Sequence, residues 1–200
     1  NNDAFHNVLE KNVPLIFFDR SKHIDGVSSV TINDFKGGYI ATKQLIDQGC
    51  KKIAHLSGDQ SLEIFKNRFL GYKQALIDNG LKFNEKYIIQ SKSSVEAGKN
   101  AIDILLDLET PPDAIFSSSD FAALGAIQEL RDRNINIPQE FCVAGFSNEP
   151  FTKFMELSIT SVDQSPLEMG KMSARVFLEQ VGKTDTKKKK KKVVLAPELH

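Results

Sequence analysis

The chain alternates short, continuous apolar runs with longer segments whose apolar residues recur every three or four positions. Residues 14–19 form such a run between turn residues, which predicts a buried strand. Residues 34–48 show helical spacing and are followed by Gly49, which suits the left-handed position after a helix. The further predicted strands are residues 52–57, 87–90, 114–117, 141–146, 160–162 and 193–196, and the further predicted helices are residues 63–79, 95–108, 120–133 and 167–181.

The order of these elements, in which strands alternate with helices over short links, predicts right-handed crossovers and a mostly parallel sheet of the α/β class. Ligands of such sheets bind beyond the carboxyl ends of the strands, near the point where the strand order reverses. The residues that follow the predicted strands are almost all polar, and several are small: 19–20, 57–60, 117–120, 147–149 and 163–164. The sequence therefore predicts a polar ligand site at one edge of the sheet.

Charge and cysteine usage narrow the class of protein. The 200 residues hold 26 Lys and Arg against 26 Asp and Glu, and this balance argues against a nucleic-acid-binding surface within this stretch. Cys50 and Cys142 lie far apart, each in or beside an apolar run, which favours buried thiols in a reducing compartment over a disulfide. No apolar run approaches the length that crosses a membrane, and residues 1–6 lack the features of a signal peptide.

Six consecutive lysines, residues 187–192, form the one low-complexity segment. Such a run can be a nuclear-localisation or nucleic-acid-binding patch, or simply a solvated loop. Its position between the last helix and the last strand, together with the balanced charge, favours the loop.

Sequence signatures of catalysis are lacking. The four histidines have no metal-ligand spacing, and the chain contains no nucleophile elbow, no Walker loop and no zinc-protease motif. We therefore expect a binding protein with no cofactor and no metal, and an enzyme with scattered catalytic groups stays an alternative.

Two segments carry a more specific signal. Arg68 lies on nearly the same helical face as Tyr72, and a guanidinium beside an apolar stripe must find acceptors. Its donors suit either vicinal hydroxyls or a carboxylate of a ligand, or else a structural salt bridge. Residues 117–120 (SSSD) precede a helix, where they serve as N-terminal caps or direct hydroxyls and free N–H groups to a ligand, and both functions are compatible.

Five segments, taken in order, resemble the lactose/galactose repressor family of bacterial regulators over nearly the whole chain. They are VPLIFFDR (13–20), VTINDFKGGYIATKQLIDQGCKKIAHLSG (30–58), RFLGYKQAL (68–76), PPDAIFSSSDFAALGAIQELRDRNINIPQEFCVAGFSN (111–148) and LSITSVDQSPLEMGKMSARVFLE (157–179). The resemblance implies a type I periplasmic-binding-protein-like fold, with two doubly wound parallel-sheet lobes of which the N-terminal lobe is truncated here. It also implies that a DNA-binding helix-turn-helix belongs to the parent protein and is absent from this chain.

The family's domain organisation implies how this chain divides. Residues 1–33 and 165–182 would be part of the N-terminal lobe, residues 34–50 a crossover helix region, and residues 51–160 and 192–200 the C-terminal lobe. The crossovers between lobes would lie near residues 34–48, 160–164 and 182–192.

The function that the resemblance implies is ligand sensing in the cytoplasm. A small polar effector, such as a sugar, would bind between the lobes and control DNA affinity allosterically. The protein would act as a homodimer, with residues 34–48 and 4–9 contributing to the dimer, and would bind operator DNA through the missing N-terminal domain without any membrane association. The alternative is a periplasmic sugar-binding protein of a transporter.

Effector contacts are implied only where positions match the family. Arg68 matches the arginine that grips the ligand, and we expect Arg68→Ala to abolish binding without unfolding the protein. Two positions depart from the family: Ser119 stands where Asn is common, and Ser147 stands where Asp is common. These shorter, neutral groups indicate a different or bulkier effector. The predicted effector-binding residues are Arg68, Asp19, Arg20, Asn33, Asp34, Phe116, Ser119, Asp120, Ser147, Asn148 and Gln164.

Overall fold

The computed structural model describes residues 3–11, 13–22, 24–154, 159–181 and 190–200. The chain divides into two compact units, which are Asn1–Asn33 with Ser165–Ala196, and Asp34–Gln164 with Pro197–His200. The elements in chain order are α1 (Asp3–Glu10), β1 (Ile16–Phe18), β2 (Ser28–Ile32), α2 (Asp34–Asp47), β3 (Ile53–Ser57), α3 (Glu63–Asp78), β4 (Ile88–Gln90), α4 (Val95–Leu106), β5 (Ala114–Ser117), α5 (Asp120–Asp132), β6 (Cys142–Ser147), β7 (Thr160–Asp163), α6 (Pro166–Gln180), β8 (Lys192–Leu195) and β9 (Glu198–Leu199).

The larger unit is a six-stranded sheet with helices on both faces. The strand order is β4-β3-β5-β6-β7-β9, and every pairing is parallel except that of β7 with β9. One apolar core forms where α4 and α5 cover the sheet, and a second forms on the α2 and α3 side. This architecture confirms the predicted α/β class with a doubly wound parallel sheet, and it brings the carboxyl ends of β3, β5, β6 and β7 to one edge.

The smaller unit is a parallel three-stranded sheet in the order β1-β2-β8, with α6 packed against it. The side chains of Val30, Ile32, Met169 and Val176 form its core. The strand β2 is absent from the predicted elements because its five residues include three with hydroxyls. It nevertheless alternates inward and outward side chains, as a strand with one buried face does.

Two predicted assignments need correction. Residues 192–200 were expected to belong with the larger sheet, but Lys192–Leu195 pairs with β2 in the smaller unit, where Val193 and Leu195 pack against the core. The residues beyond Pro197, which has no N–H to continue a ladder, reach the larger sheet, where Glu198–Leu199 pairs with β7. The chain therefore passes between units at 196/197 instead of within 182–192.

The second correction concerns helix α2. Residues 34–50 were expected to form a separate crossover region, but α2 is part of the larger unit. It packs on α3 at very short range. A Cβ added at Gly38 would overlap the carbonyl oxygen of Arg68, and one added at Gly71 would overlap that of Phe35. Glycine at these two positions therefore lets the two helix backbones come into direct contact.

The cysteines, the lysine run and the lengths of the helices were also predicted from the sequence. Cys50 and Cys142 are both free and buried, as predicted. Of the lysine run, 187–189 lie outside the described residues, while Lys190, Lys191 and Lys192 are exposed. Across the described ranges, none of the helices is both long and apolar enough to cross a membrane.

Candidate functional site

Polar side chains gather at the carboxyl edge of the larger sheet around Arg68 of α3. The guanidinium Nε donates to Asp34 Oδ1 at 2.8 Å, and Nη1 donates to the Ser118 carbonyl oxygen at 2.9 Å. The guanidinium carbon also lies 3.6 Å from the centroid of the Phe146 ring, within range of a cation–π interaction. The structural salt bridge considered from the sequence is therefore present, and it lies at the edge where a ligand site was predicted.

This ion pair is almost fully shielded from water, since the side chains of Arg68 and Asp34 are 3% and 5% exposed. Asp34 is in the first turn of α2, where the helix dipole favours a negative charge. Removing one partner would leave an uncompensated buried charge, which is strongly destabilising. The expectation that Arg68→Ala leaves the fold intact therefore does not agree with this geometry.

The Asp120 carboxylate accepts hydrogen bonds from two other segments of the larger unit. Its Oδ2 accepts a hydrogen bond from the Glu149 N–H at 2.9 Å, and its Oδ1 accepts one from the Ser161 hydroxyl at 2.7 Å. Burial raises the pKa of this carboxyl, against the opposing effect of those hydrogen bonds. Asp120 is fully buried and ties α5 to the segments after β6 and in β7. Its role as an effector contact stays a prediction.

Phe116 is likewise a core residue, and its role as an effector contact stays a prediction. Its ring is fully buried and stacks on His55, with centroids 4.8 Å apart. Both faces of the sheet are covered by helices, so proximity to a strand end does not expose a side chain on β5.

Ser119 is the residue before α5, yet its side chain makes no capping hydrogen bond. The carbonyl oxygen of Ser119 accepts hydrogen bonds from the Ser117 hydroxyl at 2.7 Å and from the Ala123 N–H at 3.0 Å. The hydroxyl of Ser119 therefore does not cap the helix as the sequence suggested, and its role as an effector contact stays a prediction.

The turn after β6 holds the second departure from the family. Ser147 has φ 124° and Asn148 has φ 51°, both in the region that favours glycine or asparagine. The Ser147 hydroxyl accepts a hydrogen bond from Gln164 Nε2 at 2.7 Å, and Asn148 Nδ2 donates to Asp163 Oδ2 at 2.9 Å. The polar ends of β6 and β7 are thus joined to each other.

Three predicted residues belong to the smaller unit. Asp19 follows β1 with φ 63°, and its N–H donates to the Val30 carbonyl oxygen at 3.0 Å. Arg20 is mostly exposed, with Nε 3.9 Å from Asp19 Oδ2. Asn33 follows β2, and its N–H donates to the Leu195 carbonyl oxygen. The structure therefore divides the predicted contacts into one set in each unit.

His55 is a residue that the sequence analysis missed, because histidine was considered only as a metal ligand. It lies in β3, fully buried, with its ring stacked on those of Tyr72 and Phe116. Nδ1 donates to the Phe116 carbonyl oxygen at 2.9 Å, and Nε2 lies 3.5 Å from the Ser118 hydroxyl. Burial, assisted by the charge of Arg68, lowers the pKa of His55 to about 4, so the ring is neutral near pH 7.

No metal centre is formed by the described residues, among which no three His, Cys, Asp or Glu side chains converge. The edge offers instead hydroxyls, amides, one compensated guanidinium and an aromatic face. These groups can hydrogen-bond a polar ligand.

Residues 42–200 match the family model described as the periplasmic binding protein-like domain. The chain belongs to this family. The match takes in most of the larger unit, including α3 with Arg68, and also α6 and β8 of the smaller unit. The predicted periplasmic-binding-protein-like fold is thereby confirmed.

Two relatives of this chain are named as transcriptional regulators. The chain is 34% identical over 198 residues to the HTH-type transcriptional regulator DegA of Bacillus subtilis, which is 98% of this chain and 57% of DegA. It is 30% identical over 188 residues to the HTH-type transcriptional repressor PurR of Actinobacillus pleuropneumoniae, which is 94% of this chain and 56% of PurR. These relatives confirm the resemblance to the lactose/galactose repressor family.

A solved structure, that of the transcriptional regulator CelR in complex with cellobiose, is 29% identical and superposes with a TM-score of 0.86. The superposition covers 96% of this chain and 59% of that one. The chain therefore spans a little over half the length of the relatives it matches.

Proposed function

We propose that this chain is the ligand-sensing and dimerisation part of a bacterial transcription regulator. A small neutral effector of the sugar class binds at the carboxyl edge of the larger sheet, and its binding shifts the DNA affinity of the whole regulator. Two relatives support this proposal because they are named as transcriptional regulators, and a third because it is named as a complex with cellobiose.

The observation that carries the proposal is the arrangement around Arg68. Its guanidinium is held between Asp34, the Ser118 carbonyl and the Phe146 ring, beside the hydrogen-bonded ends of β6 and β7. Because Asp34 compensates the positive charge, this edge favours a ligand without charge of its own. Hydroxyl groups both donate and accept, so they match the mixture of hydroxyls and amides found there.

Further members of the predicted set of effector contacts lie in both units. Gln164, Ser147, Asn148 and Ser119 are only partly buried and are proposed as the contacts from the larger unit. Asp19, Arg20 and Asn33, at strand ends of the smaller unit, are proposed as additional contacts.

The regulator is favoured over the transporter's sugar-binding protein because the relatives are named as regulators. Those names likewise give no support to an enzyme. We further propose that the protein acts in the cytoplasm as a homodimer and binds operator DNA through a domain outside this chain.

Isothermal titration calorimetry tests the proposal with a panel of neutral mono- and disaccharides that includes cellobiose, beside sugar phosphates and nucleosides. We expect saturable binding of at least one neutral sugar, weakened about tenfold, or roughly 1.4 kcal/mol, by Gln164→Ala, which removes a donor at the edge without leaving a buried charge. Gln128→Ala, an exposed position on α5, is the matched control and should bind as the wild type does. A folded chain that binds none of the panel would refute the proposal.

A further inference from the structure

A cavity of about 380 Å³ lies in the larger unit on the face of the sheet that α3 covers. Its apolar walls are Phe69, Phe83 and Ile88, and its polar lining is Ser57, Gln60, Glu85 and Gln90. None of these seven residues is among the proposed effector contacts. The cavity lies at β3 and β4, on the far side of β5 from the paired ends of β6 and β7.

The register of β3 and β4 explains why these residues converge. His55 pairs with Ile88 and Ser57 pairs with Gln90, so all four side chains point to the same face of the sheet. That face carries the stacked rings of His55 and Phe69, whose centroids are 6.0 Å apart. The cavity is therefore a continuation of the aromatic core that opens at the carboxyl end of the two strands.

Ser57 supplies a second observation. Its side chain is 1% exposed, and its hydroxyl is the one buried side-chain polar atom without a protein hydrogen-bond partner among the described residues. A buried hydroxyl without a partner is unfavourable and rare in native proteins. A ligand hydroxyl at the sheet end of the cavity would complete its hydrogen bonding.

The lining selects for uncharged ligands. Glu85 is the charged residue of the lining, and its carboxylate disfavours anions such as sugar phosphates. The two glutamine amides each donate and accept hydrogen bonds, as vicinal hydroxyls do. Both properties favour a neutral molecule with several hydroxyl groups.

The aromatic walls limit the shape of the ligand. The Phe69 and Phe83 rings meet edge to face, at 69° with centroids 6.1 Å apart, so they do not form the parallel slot that would sandwich a flat base. They present apolar surface to the C–H face of a saturated ring instead. The volume is within the range of small-molecule sites.

We propose that this cavity, lined by Ser57, Gln60, Phe69, Phe83, Glu85, Ile88 and Gln90, is a second binding site for a neutral, polyhydroxylated ring of monosaccharide size. It is separate from the effector site proposed at Arg68. A sugar bound there would contact α3, the helix that carries Arg68, so the two sites share one element.

Solution NMR of the isotope-labelled chain tests the site with glucose and galactose as neutral probes and glucose 6-phosphate as the charged comparison. We expect saturable shifts of the Gln60 and Gln90 side-chain amides and of the Phe69 and Phe83 ring protons with a neutral sugar. The same shifts should persist in Gln164→Ala, which weakens only the effector site. Glucose 6-phosphate should bind with an affinity about tenfold lower than that of the neutral sugar, as measured by the same shifts.

Two variants connect the shifts to the cavity. Gln90→Leu and Ser57→Ala should each lower the affinity for the neutral sugar severalfold. Gln128→Leu, at an exposed position on α5, should leave that affinity unchanged. The proposal is overturned if no neutral sugar shifts these resonances, if glucose 6-phosphate binds equally well, or if the shifts disappear in Gln164→Ala. In that last case the effector-site proposal would stand and the second site would not.

Discussion

Arg68 of α3 and Asp34 of α2 form an ion pair with water excluded from both side chains, at an Nε–Oδ1 distance of 2.8 Å. Each charge loses its hydration on burial, so each depends on the other. The pair fixes α2 against α3 at the edge of the sheet where the polar strand ends gather. One interaction therefore serves the stability of the fold and the shape of the proposed effector site together.

Arg68→Ala should lower the free energy of unfolding by roughly 3–5 kcal/mol, because the Asp34 carboxylate would stay buried without the positive charge of Arg68 beside it. Urea denaturation of the variant against the wild type measures the loss. A loss under about 1 kcal/mol, the size expected of an exposed pair, would contradict the buried ion pair.

The matched control removes both charges. Arg68→Met combined with Asp34→Leu replaces the pair by apolar groups of similar volume and should recover most of that loss, to within about 1 kcal/mol of the wild type. Sugar binding should stay weak in this double variant, which separates the stabilising role of the pair from its proposed ligand role.

Gly38→Ala and Gly71→Ala should each destabilise the chain by about 2 kcal/mol or more, because the added methyl group would overlap a backbone carbonyl of the facing helix. Gly170→Ala in α6 is the control, since nothing lies within 4 Å of its Cβ position. There the higher helix propensity of alanine should stabilise by about 0.5–1 kcal/mol. Thermal denaturation of the three variants distinguishes these outcomes, and a neutral Gly38→Ala would show that α2 and α3 are not in backbone contact.

The sequence predicts most elements of this fold to within two residues at each end, because continuous apolar runs and helical spacing are local signals. Strand partners are not local. The last segment of the chain contributes β8 to one sheet and β9 to the other. Pro197 marks a break between these two strands, but it does not say which sheet each of them joins. The strand β2 was missed since its serines and threonine weaken the apolar signal.

In the candidate site, too, local features could be predicted from the sequence but contacts between distant segments could not. The sequence predicts that Arg68 needs an acceptor, yet it cannot say which carboxylate of the chain provides it, because Asp34 is brought close only by helix packing. Phe116 and Asp120 were both among the predicted effector contacts. Both are buried, since helices cover each face of the sheet.

Ser147 holds a φ of 124° that glycine adopts at little cost, and it also accepts a hydrogen bond from Gln164. Ser147→Ala loses the hydrogen bond and keeps the strain, whereas Ser147→Gly loses the hydrogen bond and relieves the strain. The glycine variant should therefore be more stable than the alanine variant by about 1–3 kcal/mol in chemical denaturation. Equal stability of the two would mean that the backbone at this turn is not strained.

His55 makes stability depend on pH in a defined window. Its pKa is about 4 in the folded chain, chiefly because of burial, against an ordinary value of 6.5. Between these values the unfolded chain binds more protons, so the free energy of unfolding should rise with pH from about 4 to 6.5. The contribution is fully present above 6.5 and is lost progressively as the pH falls toward 4. The difference between the two pKa values corresponds to at most roughly 3 kcal/mol in the free energy of unfolding.

Urea denaturation at several pH values between 4 and 7, in parallel for the wild type, His55→Phe and His200→Gln, measures this contribution. His55→Phe keeps an aromatic ring in the stack with Tyr72 and Phe116. It should lose stability at pH 7 because the Phe116 carbonyl oxygen loses its donor, and it should show a flatter pH dependence than the wild type because it cannot titrate. His200→Gln replaces an exposed histidine, so its comparison with His55→Phe distinguishes the buried ring from an exposed one. If His55→Phe showed the same dependence of stability on pH as the wild type, the loss of stability in acid would come from groups other than His55. That result would contradict the prediction.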